Sequence, residues 1–123
     1  MTPRLRIIVT GLVGLYPVGG VAWDYLQYVV GLVRLGHDVY YHEDTWSWPY
    51  HPLEATYTSR GDYSAEYLGR YFAQYAPELQ HRWHYLHLHD TSFGMDRSAF
   101  DEVARTADLL LNVSGASSIP DHL

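Results

Sequence analysis

The sequence predicts an α/β fold built on a parallel sheet of about four strands flanked by helices. Three observations carry that reading. Short apolar, β-branched runs recur along the chain, amphipathic stretches with helical spacing separate them, and glycine-rich or polar segments punctuate the joins. The length of 123 residues suits one domain, 1–123, with one hydrophobic core. Hydrophobic residues make up 47% of the chain and charged residues 18%, which excludes a disordered chain. With no cysteine, a disulfide scaffold and a thiolate metal site are excluded as well. Six prolines, ten glycines and the lack of heptads exclude a coiled coil. The formal charge is −6, there is no lysine, and the eight arginines are scattered singly, so no nucleic-acid partner is expected.

Each element follows from its local pattern. Leu5–Val9 is a β-branched run bounded by glycine, as a strand buried on both faces reads. Arg4 and Arg6 before the uncharged stretch Ile7–Trp23 mimic a secretion signal, and Gly20-Val21-Ala22 loosely mimics its cleavage site. Gly11, Gly14, Pro17, Gly19 and Gly20 interrupt any apolar helix there. The stretch therefore reads as a strand and a glycine loop, with no membrane span and a cytoplasmic location. From about Val21 to Leu35, residues Val21, Tyr25, Leu26, Val29, Leu32 and Val33 share one helical face, and Gly36 sits where a left-handed C-terminal cap belongs. His37–His42 forms the second strand, closed by Glu43 and Asp44, so the first 44 residues make a parallel βαβ unit. Thr45–Asp62 reads as an ordered aromatic loop. A helix capped by Ser64 then runs to Pro77, with Leu68, Tyr71, Phe72 and Tyr75 on one face. Trp83–Leu88 is the third strand, Asp96–Thr106 a helix with Phe100 and Val103 inward, and Asp108–Val113 the fourth strand. Alternation of this kind is Rossmann-like. Ser114–Ser118 reads as a loop leading into a further helix, so a truncated or front portion of a longer protein is expected.

In open parallel sheets, ligands bind at the carboxyl ends of the strands. The loops Gly11–Gly20, His42–Asp44, His87–Gly94 and Ser114–Ser118 are expected to converge there. Gly19 and Gly20 precede a helix whose free N–H groups favour a phosphate, although they also suit a simple turn. The spacing matches no G-x-G-x-x-G fingerprint, and without lysine there is no Walker loop. Trp23, Trp46, Trp48 and Tyr50 offer ring faces to a sugar or to the core. His42, His89 and Asp90 are candidate proton acceptors. His87 and His89, on one face of a strand, could hold a metal with Asp90, but no third distant ligand is identifiable and no metal is assigned. Ser114 and Ser117 lack a nucleophile-elbow context.

The run from Gly11 through Gly19-Gly20-Val21-Ala22-Trp23 to Tyr28, then Leu35-Gly36-His37-Asp38-Val39 to Asp44, resembles the N-terminal half of bacterial GT-B-type glycosyltransferases. The closing Ala107–Gly115 looks like a strand of that domain. The resemblance implies two Rossmann-like domains facing across a cleft, the N-terminal one holding the acceptor. It implies donor phosphates near Gly19 and Gly20, a small-molecule or glycan acceptor near Trp23, Trp46, Trp48 and Tyr50, and a base among His42, His89 and Asp90. The nucleotide-sugar is then a co-substrate, and no further cofactor is implied. Two alternatives stand beside it. One is a non-enzymatic, self-associating interaction domain; the other is a small metal-dependent hydrolase using His87, His89 and Asp90.

Overall fold

The computed structural model describes residues 3–113. The chain forms β1 (Arg6–Thr10), α1 (Gly19–Arg34), β2 (Asp38–Thr45), β3 (Tyr50–His51), β4 (Thr56–Tyr57), α2 (Asp62–Tyr75), a 3₁₀ turn (Pro77–Leu79), β5 (Trp83–His87), β6 (Thr91–Gly94), α3 (Arg97–Thr106) and β7 (Leu109–Asn112). The central sheet has the order β6-β5-β2-β1-β7. β5, β2, β1 and β7 run parallel, and β6 is antiparallel to β5. The sheet therefore has five strands and is mixed, which corrects the expectation of about four parallel strands. The additional strand is Thr91-Ser92-Phe93-Gly94, a short, polar edge segment that alternation does not reveal. A second small sheet, β3–β4, lies inside what reads from the sequence as an aromatic loop.

The helices divide between the two sheet faces. α1 and α2 cover Ile7, Val9, Val39, Tyr41, Trp83 and Tyr85, whereas α3 covers Ile8 with Phe100, Val103 and Ala104. Two faces buried by helices explain why β1 reads as an unbroken apolar run. α1 ends as its sequence predicts. Gly36 has φ +89, its N–H donates to the Val33 carbonyl (2.9 Å), and the His37 N–H donates to that of Leu32 (3.2 Å), the paired bonds of a Schellman cap. α3 is capped by Asp96, which accepts from the Ala99 N–H at 2.8 Å.

α2 begins at Asp62 after Gly61, so Ser64 lies buried within the helix and does not cap it. β2 continues through Glu43 and Asp44 to Thr45, so these acids belong to the strand and do not close it. At the amino end of β2, Asp38 pairs with Arg6 (2.8 Å) and Arg82, and both guanidinium groups lie over the Tyr40 ring, at 5.5 and 5.0 Å. No helix among the described residues is long and apolar enough to cross a membrane.

Candidate functional site

Strand alternation sends Tyr41 and Glu43 to the α1/α2 face, and His42 and Asp44 to the α3 face. All four are buried, so each polar group needs a partner. Glu43 has a full set. Its carboxylate accepts from the Gly14 N–H (2.8 Å), the Leu15 N–H (2.6 Å) and the Tyr41 hydroxyl (2.7 Å), while the Val13 N–H donates to the Tyr41 oxygen (3.1 Å). Burial raises its pKa to about 7, against the pull of those three donors. Glu43 is thus the anchor of the loop after β1.

That anchor explains the glycines of the loop. A Cβ at Gly14 would stand 3.0 Å from the Glu43 carboxylate, and one at Gly11 would stand 2.7 Å from the Tyr25 ring. Gly19 and Gly20 differ: nothing lies within 4 Å of a Cβ at either position. They open α1, whose first turn has no side-chain cap, and both are exposed.

On the α3 face, His42 stacks on Phe100 (4.1 Å, 12°) and its Nδ1 lies 3.2 Å from Nδ1 of His84. Only one of those nitrogens can carry the proton, so one ring donates and the other accepts. His84 Nε2 continues the chain to the Ser92 hydroxyl at 2.8 Å. Burial, foremost, lowers His42 to about 3 and His84 to about 4, which keeps both rings neutral at pH 7. Nε2 of His42 is buried and has no hydrogen-bond partner among the described residues. Nearby, Thr10 Oγ1 donates to Asn112 Oδ1 (2.8 Å) where β1 meets β7.

Asp44 and His89 form the chemically open group. His89 Nδ1 lies 2.9 Å from both Asp44 oxygens, so Nδ1 carries the proton and donates it to the carboxylate. That leaves Nε2 as the acceptor on a ring one-third exposed. Burial raises the Asp44 pKa, and the hydrogen bond from His89 opposes the shift. Trp46, 68% exposed, stacks on the imidazole at 4.2 Å and 23°.

A tight turn makes this arrangement. Leu88 (φ 50) and His89 (φ 57) are both left-handed, and the Asp90 N–H donates to the His87 carbonyl at 3.0 Å. Left-handed backbone at two consecutive non-glycine residues is strained, as at many functional turns. The turn also overturns the strand-based placement of His87 and His89 on one face. His87 lies on the α2 side, with Nδ1 3.0 Å from the Tyr85 hydroxyl and Nε2–H donating to the Ser59 carbonyl at 2.6 Å, whereas His89 reaches Asp44 on the α3 side.

The predicted site residues are therefore only partly gathered. His89 and Trp46 come together with Asp44 at the carboxyl ends of β2 and β5, whereas His42 is buried two residues before Asp44 against Phe100 and His84. Asp90 is exposed and serves the turn through its main chain. Trp48 is exposed, and Tyr50 packs edge-on to Tyr57 at 5.6 Å. Trp23 packs on Tyr75 of α2 at 5.7 Å, on the other side of the sheet. Ser114 and Ser117 lie outside the described residues. The residue that sequence reasoning missed is Asp44, whose only signal is its position two residues after His42 on one strand. Among the described residues, no group of three or more His, Asp or Glu could hold a metal ion. Comparison with protein-family models, with curated proteins and with solved structures found no match for this chain.

Proposed function

We propose that the domain is the acceptor-side, Rossmann-like half of a GT-B-type glycosyltransferase, with His89 as the base. The single observation that carries this reading is the Asp44–His89–Trp46 arrangement. A carboxylate that holds Nδ1–H directs Nε2 outward and favours the imidazolium formed when that nitrogen takes a proton. The acceptor hydroxyl gives its proton to His89 Nε2, and its oxygen bonds to the anomeric carbon. The bond from that carbon to the donor phosphate breaks, and nucleoside diphosphate leaves. The exposed Trp46 ring offers the C–H face of an acceptor sugar a stacking surface beside the base. The switch in strand order falls between β1 and β7, next to the loop after β1 that carries Gly19 and Gly20. The donor is held in this reading by a partner domain, and Gly19 and Gly20 offer uncapped N–H groups to its phosphates.

The test is release of nucleoside diphosphate from a panel of nucleotide-sugars, with and without glycan acceptors, in the presence of the donor-binding partner domain. His89→Ala lowers turnover about 10²–10⁴-fold, and Asp44→Asn lowers it less, with circular dichroism unchanged in both. Turnover that survives His89→Ala sinks the proposal. A second reading, a self-associating interaction domain, draws on the exposure of Trp46 (68%) and Trp48 (55%). It requires a dimer by light scattering that Trp46→Ala and Trp48→Ala dissociate.

A further inference from the structure

A second groove lies on the side of the sheet away from His89, between α1 and α2. Three adjoining cavities, of about 470, 270 and 70 Å³, share Tyr75 as a common wall. Trp23 (57% exposed) and Tyr75 (47% exposed) present their rings at its centre, and Tyr67 and Tyr71 line the middle. Gln27 and Gln74 add exposed amides. Arg34 borders one end and Arg70 the other.

The arginines are informative because of what the others do. Arg4, Arg6 and Arg82 pair with Asp38, Arg60 with Glu54, and Arg105 with Glu102. Arg34, Arg70 and Arg97 have no ion pair among the described residues; Arg97 stands on α3, across the sheet, whereas Arg34 and Arg70, both exposed, border this groove, and no carboxylate lines any of its three cavities. In a chain of net charge −6, this groove holds two free guanidinium groups beside stacked aromatic rings.

We infer that the α1–α2 groove is a binding site for an acidic oligosaccharide. Ring faces take the C–H surfaces of the sugars, amides pair with hydroxyls, and the two guanidinium groups take carboxylates in a planar, bidentate geometry. A peptide fits less well. Helices leave no unpaired main-chain edge for strand addition. The aliphatic part of the lining, Ala22, Leu26 and Val30, is buried or half-buried, so that the exposed rim is Trp, Tyr, Gln and Arg where an amphipathic helix needs exposed aliphatic side chains. This inference is independent of sugar transfer at His89.

Isothermal titration calorimetry on the full chain tests it, with tetragalacturonate as probe and cellotetraose and hexaglutamate as controls. Tetragalacturonate binds, its affinity falls with added salt, and cellotetraose binds at least about tenfold more weakly. Arg34→Gln, Arg70→Gln and Trp23→Ala each weaken tetragalacturonate binding about tenfold, with unchanged circular dichroism. Equal affinity for hexaglutamate, failure of the folded chain to bind tetragalacturonate, or wild-type affinity in Trp23→Ala overturns the inference. His89→Ala keeps wild-type affinity for the probe. A loss there assigns the sugar to the carboxyl-end site and equally overturns it.

Discussion

His42 and Glu43 are neighbours on one strand and both are buried, yet their surroundings differ in kind. Glu43 faces α1 and α2 with three donors on its carboxylate, and those bonds tie the β1 loop to the sheet. His42 faces α3 with one nitrogen engaged by His84 and the other without a partner among the described residues. One residue further on, Asp44 spends its carboxylate on orienting His89 toward solvent. A closed polar network holds a fold together, whereas the Asp44–His89 pair leaves one imidazole nitrogen outside it. Period-2 alternation of a single strand thus separates the acid that anchors the β1 loop from the histidine-facing groups.

The largest effect is expected where the closed network is broken. Glu43→Ala leaves two main-chain N–H groups and the Tyr41 hydroxyl buried without an acceptor, and lowers unfolding free energy by about 3–5 kcal/mol in urea titration. A loss below about 1 kcal/mol means that Glu43 does not anchor the loop.

The same contrast gives opposite pH dependences. Glu43 is raised from 4.5 to about 7, so its contribution is complete below pH 4.5 and is lost as pH rises to about 7. His42 and His84 are lowered from 6.5, so their contribution is complete above pH 6.5 and is lost as pH falls toward 4 and 3. Between about pH 6.5 and 4.5 the unfolded chain takes up two protons on the histidines and the folded chain one on Glu43. Stability therefore falls by about 1.4 kcal/mol per pH unit on acidification. In Glu43→Gln the opposing contribution is gone and the fall steepens to about 2.7 kcal/mol per unit. Parallel slopes for the two proteins exclude a raised Glu43.

The glycine loop supplies the smaller effects. Gly14→Ala presses a methyl group against Glu43 and Leu68 (3.1 Å) and destabilises by about 1–3 kcal/mol. Gly19→Ala and Gly20→Ala meet open space at the start of α1 and stabilise by a few tenths of a kcal/mol, up to about 1. Equal melting shifts for Gly14→Ala and Gly19→Ala remove the distinction between packed and open glycines.

Much of the frame is legible from residues alone. The β-branched run of β1, the helical face of α1 with its Gly36 cap, the inward Phe100 and Val103 of α3 and the apolar β7 are local signals, and each appears at its place in the structure. The β6 edge was not legible, because a short polar strand has no hydrophobic period and takes its identity from β5 beside it. The site is half legible. His89 and Trp46 stand out as polar or aromatic residues after strands, but their partner Asp44 is 45 residues from His89 and reads as the end of a strand.

The sequence by itself determined which segments become strands and helices, and that β1 is buried on both faces, since hydrophobic period and capping act within a few residues. Only the tertiary structure decided which polar groups meet. Parallel pairing of β2 with β5 lines up His42 with His84, and two left-handed residues carry His89 back over Asp44. Those partners lie far apart in the chain, and burial makes their pairing obligatory without stating in the sequence who the partner is.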